Sequence, residues 1–247
     1  MIISKKKKFV FLHCRKTAGT YISSCLYNIL TNEDFIVGSL KEIYEEKKIK
    51  LSNHLDLFKF KNIKFLKNSL LKNKYKLNFG NILNDFYKEK YLRYYQNPPH
   101  MKIDIINEAF PFTENYFKFC FVRNPYDYAV SDYLWRVKNN QISFKKYLQL
   151  KISKDKDFFI TDPLTNWEIF TSEDKVAVDF VGKFENLKND LNKIFELLKI
   201  DKKFIENNLF LKKNNQRASY QGYYDDECKK LVNKLHFKEI EQFKYKF

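Results

Sequence analysis

Residues 8–30 constrain the fold more than any other stretch of the chain. Phe9-Val10-Phe11-Leu12 is a short apolar run of the kind that forms a buried strand. Beyond it, Ile22, Leu26, Ile29 and Leu30 recur along one helical face. The polar segment Cys14-Arg15-Lys16-Thr17-Ala18-Gly19-Thr20 stands between them. A strand that turns tightly into a helix aims several backbone N–H groups and the positive end of the helix dipole at one point, which suits an anion. Gly19 permits close backbone approach, Lys16 adds a mobile positive charge, and Thr17 and Thr20 add hydroxyl donors, so phosphate or sulfate oxygens would meet a nearly complete cradle. The order is not that of the loop G-x-x-x-x-G-K-[ST], because Lys16 precedes Gly19 and no earlier glycine exists. Alone, the segment fits a plain strand-to-helix turn equally well.

A second unit repeats the arrangement. Aromatic residues alternate from Tyr116 into Val122 as in a buried strand, Arg123-Asn124-Pro125 breaks the run, and a helix follows with Pro125 in its first turn. Arg123 then emerges at a strand's C-terminal end, where ligands of open α/β sheets collect, and Ser131 lies eight residues on. A guanidinium fork and a hydroxyl suit one phosphate. Between the units, Pro98-Pro99 precedes residues 100–110, which read as a short amphipathic helix with His100 at its head. There the positive helix end lowers the imidazole pKa and favours the neutral, proton-accepting form.

The two motifs in this order resemble the sulfotransferases, in particular the carbohydrate-type branch, whose 5′-phosphosulfate loop reads H-x-P-K-T-[AG]-G-T. His13, Lys16, Thr17, Ala18, Gly19 and Thr20 match it; Arg15 stands in the proline position and Tyr21 where a serine is common. Residues 122–133 match the 3′-phosphate motif V-R-[ND]-P-x-[DE]-x-x-x-S-x-[YF]. Phe184-Glu185-Asn186-Leu187, the segment 214–224 and the closing helix 225–243 with its Phe243-Lys244-Tyr245-Lys246-Phe247 tail are also similar to family features. The resemblance covers residues 8–30, 98–135 and 176–247. It implies one α/β domain over residues 1–247, with a central, mainly parallel sheet flanked by helices in a P-loop-like architecture, and with residues 31–97 as a variable insertion that shapes the acceptor site. It further implies 3′-phosphoadenosine 5′-phosphosulfate as donor, adenosine 3′,5′-bisphosphate as product and no metal. Arg15, Lys16, Thr17, Ala18, Gly19, Thr20, Tyr21, Arg123, Ser131 and Arg217 would bind the donor, Lys16 and His100 would act in catalysis, and a carbohydrate or other hydroxyl-bearing molecule would accept.

Composition narrows the alternatives. The formal net charge is +16, but lysine is spread along the whole chain, which reads as a solvated basic surface rather than a polyanion groove, so no nucleic-acid partner is expected. Cys14, Cys25, Cys120 and Cys228 form no C-x-x-C pair or zinc-type spacing and read as reduced thiols of a cytoplasmic protein. No apolar run approaches the ~18 residues of a membrane span, although a luminal fragment without its anchor stays open. His54 reads as a surface or capping residue. Two other classes remain: a P-loop kinase-like phosphotransferase, for which Thr17 directly after Lys16 is the relevant feature, and a non-catalytic basic polyanion-binding protein.

Overall fold

The apolar runs of the two motifs form the middle of one sheet. The computed structural model describes residues 1–46, 49–59, 62–72, 79–137, 141–154, 163–206 and 219–247. Its strands are β1 (Ile2–Ser4), β2 (Phe9–Leu12), β3 (Phe35–Ile36), β4 (Phe117–Val122), the small hairpin β5 (Thr171–Ser172) and β6 (Lys175–Val176), and β7 (Phe180–Lys183). Five of them make a sheet of order β3-β1-β2-β4-β7. β2 and β4 pair in parallel, with Phe9 opposite Phe117 and Leu12 opposite Cys120, and β4 and β7 pair in parallel, with Phe119 opposite Phe180. β1 runs antiparallel to both β2 and β3.

The sheet is therefore mixed, not mainly parallel. Residues 5–8, four consecutive lysines, are all that joins β1 to β2, and a connection that short cannot hold the crossover a parallel pair needs. The fully buried Ile2 and Ile3 form too brief a run to stand out in the sequence.

Helices cover the sheet: α1 (Gly19–Tyr27), α2 (Leu40–Glu45), α3 (Ile63–Lys72), α4 (Phe79–Tyr91), α5 (Ile103–Ala109), α6 (Pro125–Arg136), α7 (Phe144–Ile152), α8 (Trp167–Phe170), α9 (Leu187–Leu197), α10 (Lys203–Glu206) and α11 (Asp226–Phe243). Every residue of β2 is fully buried, and the Phe9, Phe11 and Phe119 rings pack across the parallel pair at 5.8 and 5.3 Å. Each such side chain contributes ~1.5–3 kcal/mol of burial. A second apolar cluster, including Val130, Tyr133, Phe144, Leu148 and Val232, joins α6, α7 and α11. Asp225 starts α11 by accepting a hydrogen bond from Cys228 N–H at 2.6 Å. Among the described residues, Lys118 and Lys151 leave the solvated surface. Lys118 donates to the carbonyls of Thr113, Glu114 and Tyr116, and Lys151 pairs with Asp132 at 3.0 Å. Among the described residues no helix is long and apolar enough to cross a membrane, and the four cysteines are free and buried.

Within residues 31–97, α4 crosses α2 at Gly80, where a Cβ would lie 2.7 Å from Lys41 Cα. His54 is not a surface residue. It is 1% exposed, with Nε2 2.7 Å from Tyr27 Oη and Nδ1 3.1 Å from Tyr87 Oη, so one ring nitrogen donates and the other accepts. The sequence hides this because Tyr27 and Tyr87 are remote in the chain. Burial lowers the His54 pKa to about 4. The unfolded chain therefore binds the extra proton first, and the stability this histidine contributes is present above its unfolded pKa and lost as pH falls toward 4. Between neutrality and about pH 4 the loss is ~3 kcal/mol at most. Urea titrations should show a shallower acid decline for His54→Gln than for the parent. Parallel declines would remove His54 as a source of acid lability.

Candidate functional site

Because β2, β4 and β7 are parallel, their C-terminal ends open on one edge and bring together residues 13–18, 123–124 and 184–186. The first of these loops is strained. Lys16 and Ala18 hold φ of 57° and 63°, left-handed values that cost non-glycine residues of order 1–3 kcal/mol each when over-determined by their surroundings. The surroundings are specific. Arg15 N–H donates to Asn166 Oδ1 at 2.7 Å, Asn166 Nδ2 donates back to the Arg15 carbonyl at 3.0 Å, and Arg15 Nη1 donates to the Pro163 carbonyl at 3.0 Å. Arg15 and Asn166 are both buried. Thr17 Oγ1, also buried, donates to the Cys14 carbonyl at 3.0 Å. Ala18 then caps α1, and Gly19 is its first residue; a Cβ on Gly19 would lie 1.8 Å from His13 Nε2, so the glycine makes room for that ring.

The second loop is tied to the first. Arg123 Nη1 donates to the Lys16 carbonyl at 2.9 Å and to Ser131 Oγ at 3.3 Å, while Asp127 Oδ2 takes Nε at 2.7 Å and Nη2 at 2.6 Å. The Phe184 ring packs on the guanidinium, with Arg123 Cζ 4.0 Å from its centroid. Asn124 caps α6 by accepting from Tyr126 N–H at 3.0 Å. The fork is thus fixed in plane and direction, with Ser131 beside it as the spacing implied. Lys16 Nζ lies 5.5 Å from the Trp135 ring centroid.

His100 stands on the inner side of the first loop. It ends a turn of 3-10 helix, Pro98–His100, and α5 begins only at Ile103, so it does not head the helix. A lowered pKa holds, but for another reason. Burial, reinforced by the nearby Arg15 charge, brings it to about 3. Its Nδ1 is 2.6 Å from the His13 carbonyl, which can only accept, so Nδ1 carries the proton and the lone pair is on Nε2. The His13 and His100 rings meet edge to face at 5.0 Å.

The structure thus gathers Arg15, Lys16, Thr17, Ala18, Gly19, Thr20, Arg123, Ser131 and His100 around one edge of the sheet. Not all of their side chains face the same way. Arg15 and Thr17 turn inward as braces of the loop, and Tyr21 is buried with its hydroxyl donating to the Ile205 carbonyl at 3.2 Å. Thr20 Oγ1 accepts from Ser39 Oγ at 3.4 Å. Arg217 lies outside the described residues. Asn166, Asp127 and Trp135 belong to the site without having been identified as such. Asp127 and Trp135 carried a usable signal, since each is four residues from Ser131 on the same helix face. Asn166 carried none.

A profile of the protein family described as "Sulfotransferase family" matches residues 1–246. A protein of Archaeoglobus fulgidus described as uncharacterized is 38% identical over 88 residues, which span 34% of this chain and 68% of that protein. No solved structure matches the chain.

The Asn166 clamp makes a direct prediction. Asn166→Ala leaves the buried N–H and carbonyl of Arg15 without partners, at ~1–3 kcal/mol for each group left unpaired. The midpoint of urea unfolding should fall accordingly with an unchanged slope. A midpoint equal to that of the parent would show that the loop holds its left-handed residues without Asn166.

Proposed function

The chain belongs to the sulfotransferase family, and on that premise we propose that it moves a sulfuryl group from 3′-phosphoadenosine 5′-phosphosulfate to a hydroxyl of a carbohydrate. The observation that supports the reading is the Arg123 fork, whose bonds to the Lys16 carbonyl and to Ser131 would set a phosphate held there beside a second one on the Lys16 loop. The donor set fits such a ligand: a lysine ammonium, an oriented guanidinium, a serine hydroxyl and the N-terminus of the nine-residue helix α1. Lys16, Thr20 and the N–H groups that open α1 would hold the phosphosulfate end, and Arg123 and Ser131 the 3′-phosphate. The donor supplies an activated sulfuryl group whose leaving oxygen belongs to a phosphate.

Two tasks fall to the protein: removal of the acceptor's proton and stabilisation of charge on the leaving oxygen. Nε2 of His100 bears the lone pair for the first, and Lys16 supplies the positive charge for the second. A conjugate acid with a pKa of about 3 makes a weak base at neutrality. Anionic oxygens arriving beside His100 and Arg15 would offset the Arg15 charge and raise that pKa. A kinase reading needs the hydroxyl after its loop lysine to face magnesium. Thr17 Oγ1 is instead buried and turned to the Cys14 carbonyl, which speaks against that class.

Transfer of labelled sulfate from the donor to sugar acceptors tests the assignment. Lys16→Ala should lower kcat by ~10² to 10³, whereas Arg123→Ala should mainly raise the donor KM. A Lys16→Ala protein altered only in donor KM would remove the leaving-group role. For His100, kcat/KM should stay level from about pH 5 to neutrality, because the free histidine is already neutral there. His100→Asn should cost ~10² to 10⁴ in turnover with bisphosphate affinity retained. NMR titration should place the His100 pKa higher with adenosine 3′,5′-bisphosphate bound than without; an unchanged value would remove the donor from its surroundings.

A further inference from the structure

Resting on the sulfuryl-transfer reading, we propose that the exposed indole of Trp135 is the acceptor platform, on which the C–H face of a sugar ring stacks with its hydroxyl beside Lys16. Trp135 is 62% exposed, more than any other large apolar side chain among the described residues. The fold makes little use of it. α6 packs inward through Tyr126, Ala129, Val130 and Tyr133, and Trp135 lies off that face. It lies instead on the Asp127–Ser131–Trp135 row, about 6 Å along the axis beyond Ser131.

Charge marks this ring as part of the site. Lys16 Nζ is 5.5 Å from its centroid, and Arg136 Cζ is also 5.5 Å from it. Arg136 is held in place by Asp132, which takes its Nε at 3.1 and 3.2 Å and is itself buried against Lys151 and Tyr147. A largely exposed indole with two cations 5.5 Å from its ring centroid suits a ligand with one flat apolar side and a rim of hydroxyls or carboxylates, which is the chemistry of a sugar ring. Because the ammonium assigned to the leaving oxygen lies 5.5 Å from the ring centroid, a sugar stacked there would bring its hydroxyls near the transferring group.

The test uses the full chain, Trp135→Ala and Trp135→Phe. Calorimetry with adenosine 3′,5′-bisphosphate reads the donor side. Sulfate transfer to methyl glycosides and disaccharides of glucose, galactose, N-acetylglucosamine and glucuronic acid, with 4-nitrophenol alongside, reads the acceptor side. The chain has two tryptophans, and Trp167 is 8% exposed, so a sugar-dependent change in indole emission that disappears in Trp135→Phe reports stacking without any turnover. The expected result is a rise of roughly tenfold or more in acceptor KM for Trp135→Ala, a much smaller rise for Trp135→Phe, and bisphosphate affinity within about twofold of the parent in both. An unchanged acceptor KM overturns the proposal. So does a roughly tenfold loss of bisphosphate affinity, which would put the purine on the ring. A parent that binds bisphosphate while no sugar is sulfated or alters the emission overturns the platform alone, and sulfation of 4-nitrophenol in that case points to a phenol. A parent that does not bind bisphosphate overturns the sulfuryl-transfer reading and the platform with it.

Discussion

The hydrogen bond from Arg123 to the Lys16 carbonyl is the contact on which the rest of the site depends. It crosses from the end of β4 to the loop after β2, and so ties two strand–loop–helix units together at one edge of the sheet. The carbonyl can be reached because Lys16 is left-handed, and Lys16 stays left-handed because the residues on either side are tied down. Asn166 fixes Arg15 through both of its backbone groups, and Thr17 closes onto Cys14. Where the family resemblance led to a proline before the lysine, the chain places an arginine whose rigidity is supplied from residues 163–166 rather than by its own ring.

Electrostatics at this edge is arranged by burial as much as by charge. Asp127 takes an N–H of Nε and one of Nη2, which directs Nη1 toward the Lys16 carbonyl and Ser131. A phosphate entering there would share the guanidinium with the Asp127 carboxylate, whose charge opposes a second anion. His100 sits behind the loop, kept neutral by desolvation and by the Arg15 charge.

What the sequence made legible was local. Each strand–loop–helix unit lies within about thirty residues, its apolar periodicity is strong, and Pro125 and Asn124 mark the start of α6 where they stand. What it did not make legible involved partners far apart. The antiparallel β1 follows from the shortness of the lysine turn rather than from any property of Ile2 or Ile3. His54 looks solitary in the chain, yet Tyr27 and Tyr87 enclose it. Asn166 reaches the loop from 151 residues away. His100 illustrates a right direction with the wrong cause: proline pairs predict a helix start, but the helix opens three residues later and burial sets the pKa. The alternation in β4 even turned Lys118 inward, where three carbonyls receive it, so not all of the basic excess is solvated.

If Arg123 and Ser131 form a site for a second phosphate beside the Lys16 loop, a paired calorimetric titration will read it. Adenosine 3′,5′-bisphosphate and adenosine 5′-phosphate differ only in the group that this site would hold. The parent should bind the bisphosphate at least about tenfold more tightly, as expected for charge-assisted hydrogen bonds of ~1.5–3 kcal/mol, and Arg123→Ala should abolish the preference. Equal affinities in the parent, or a preference that survives Arg123→Ala, would contradict it.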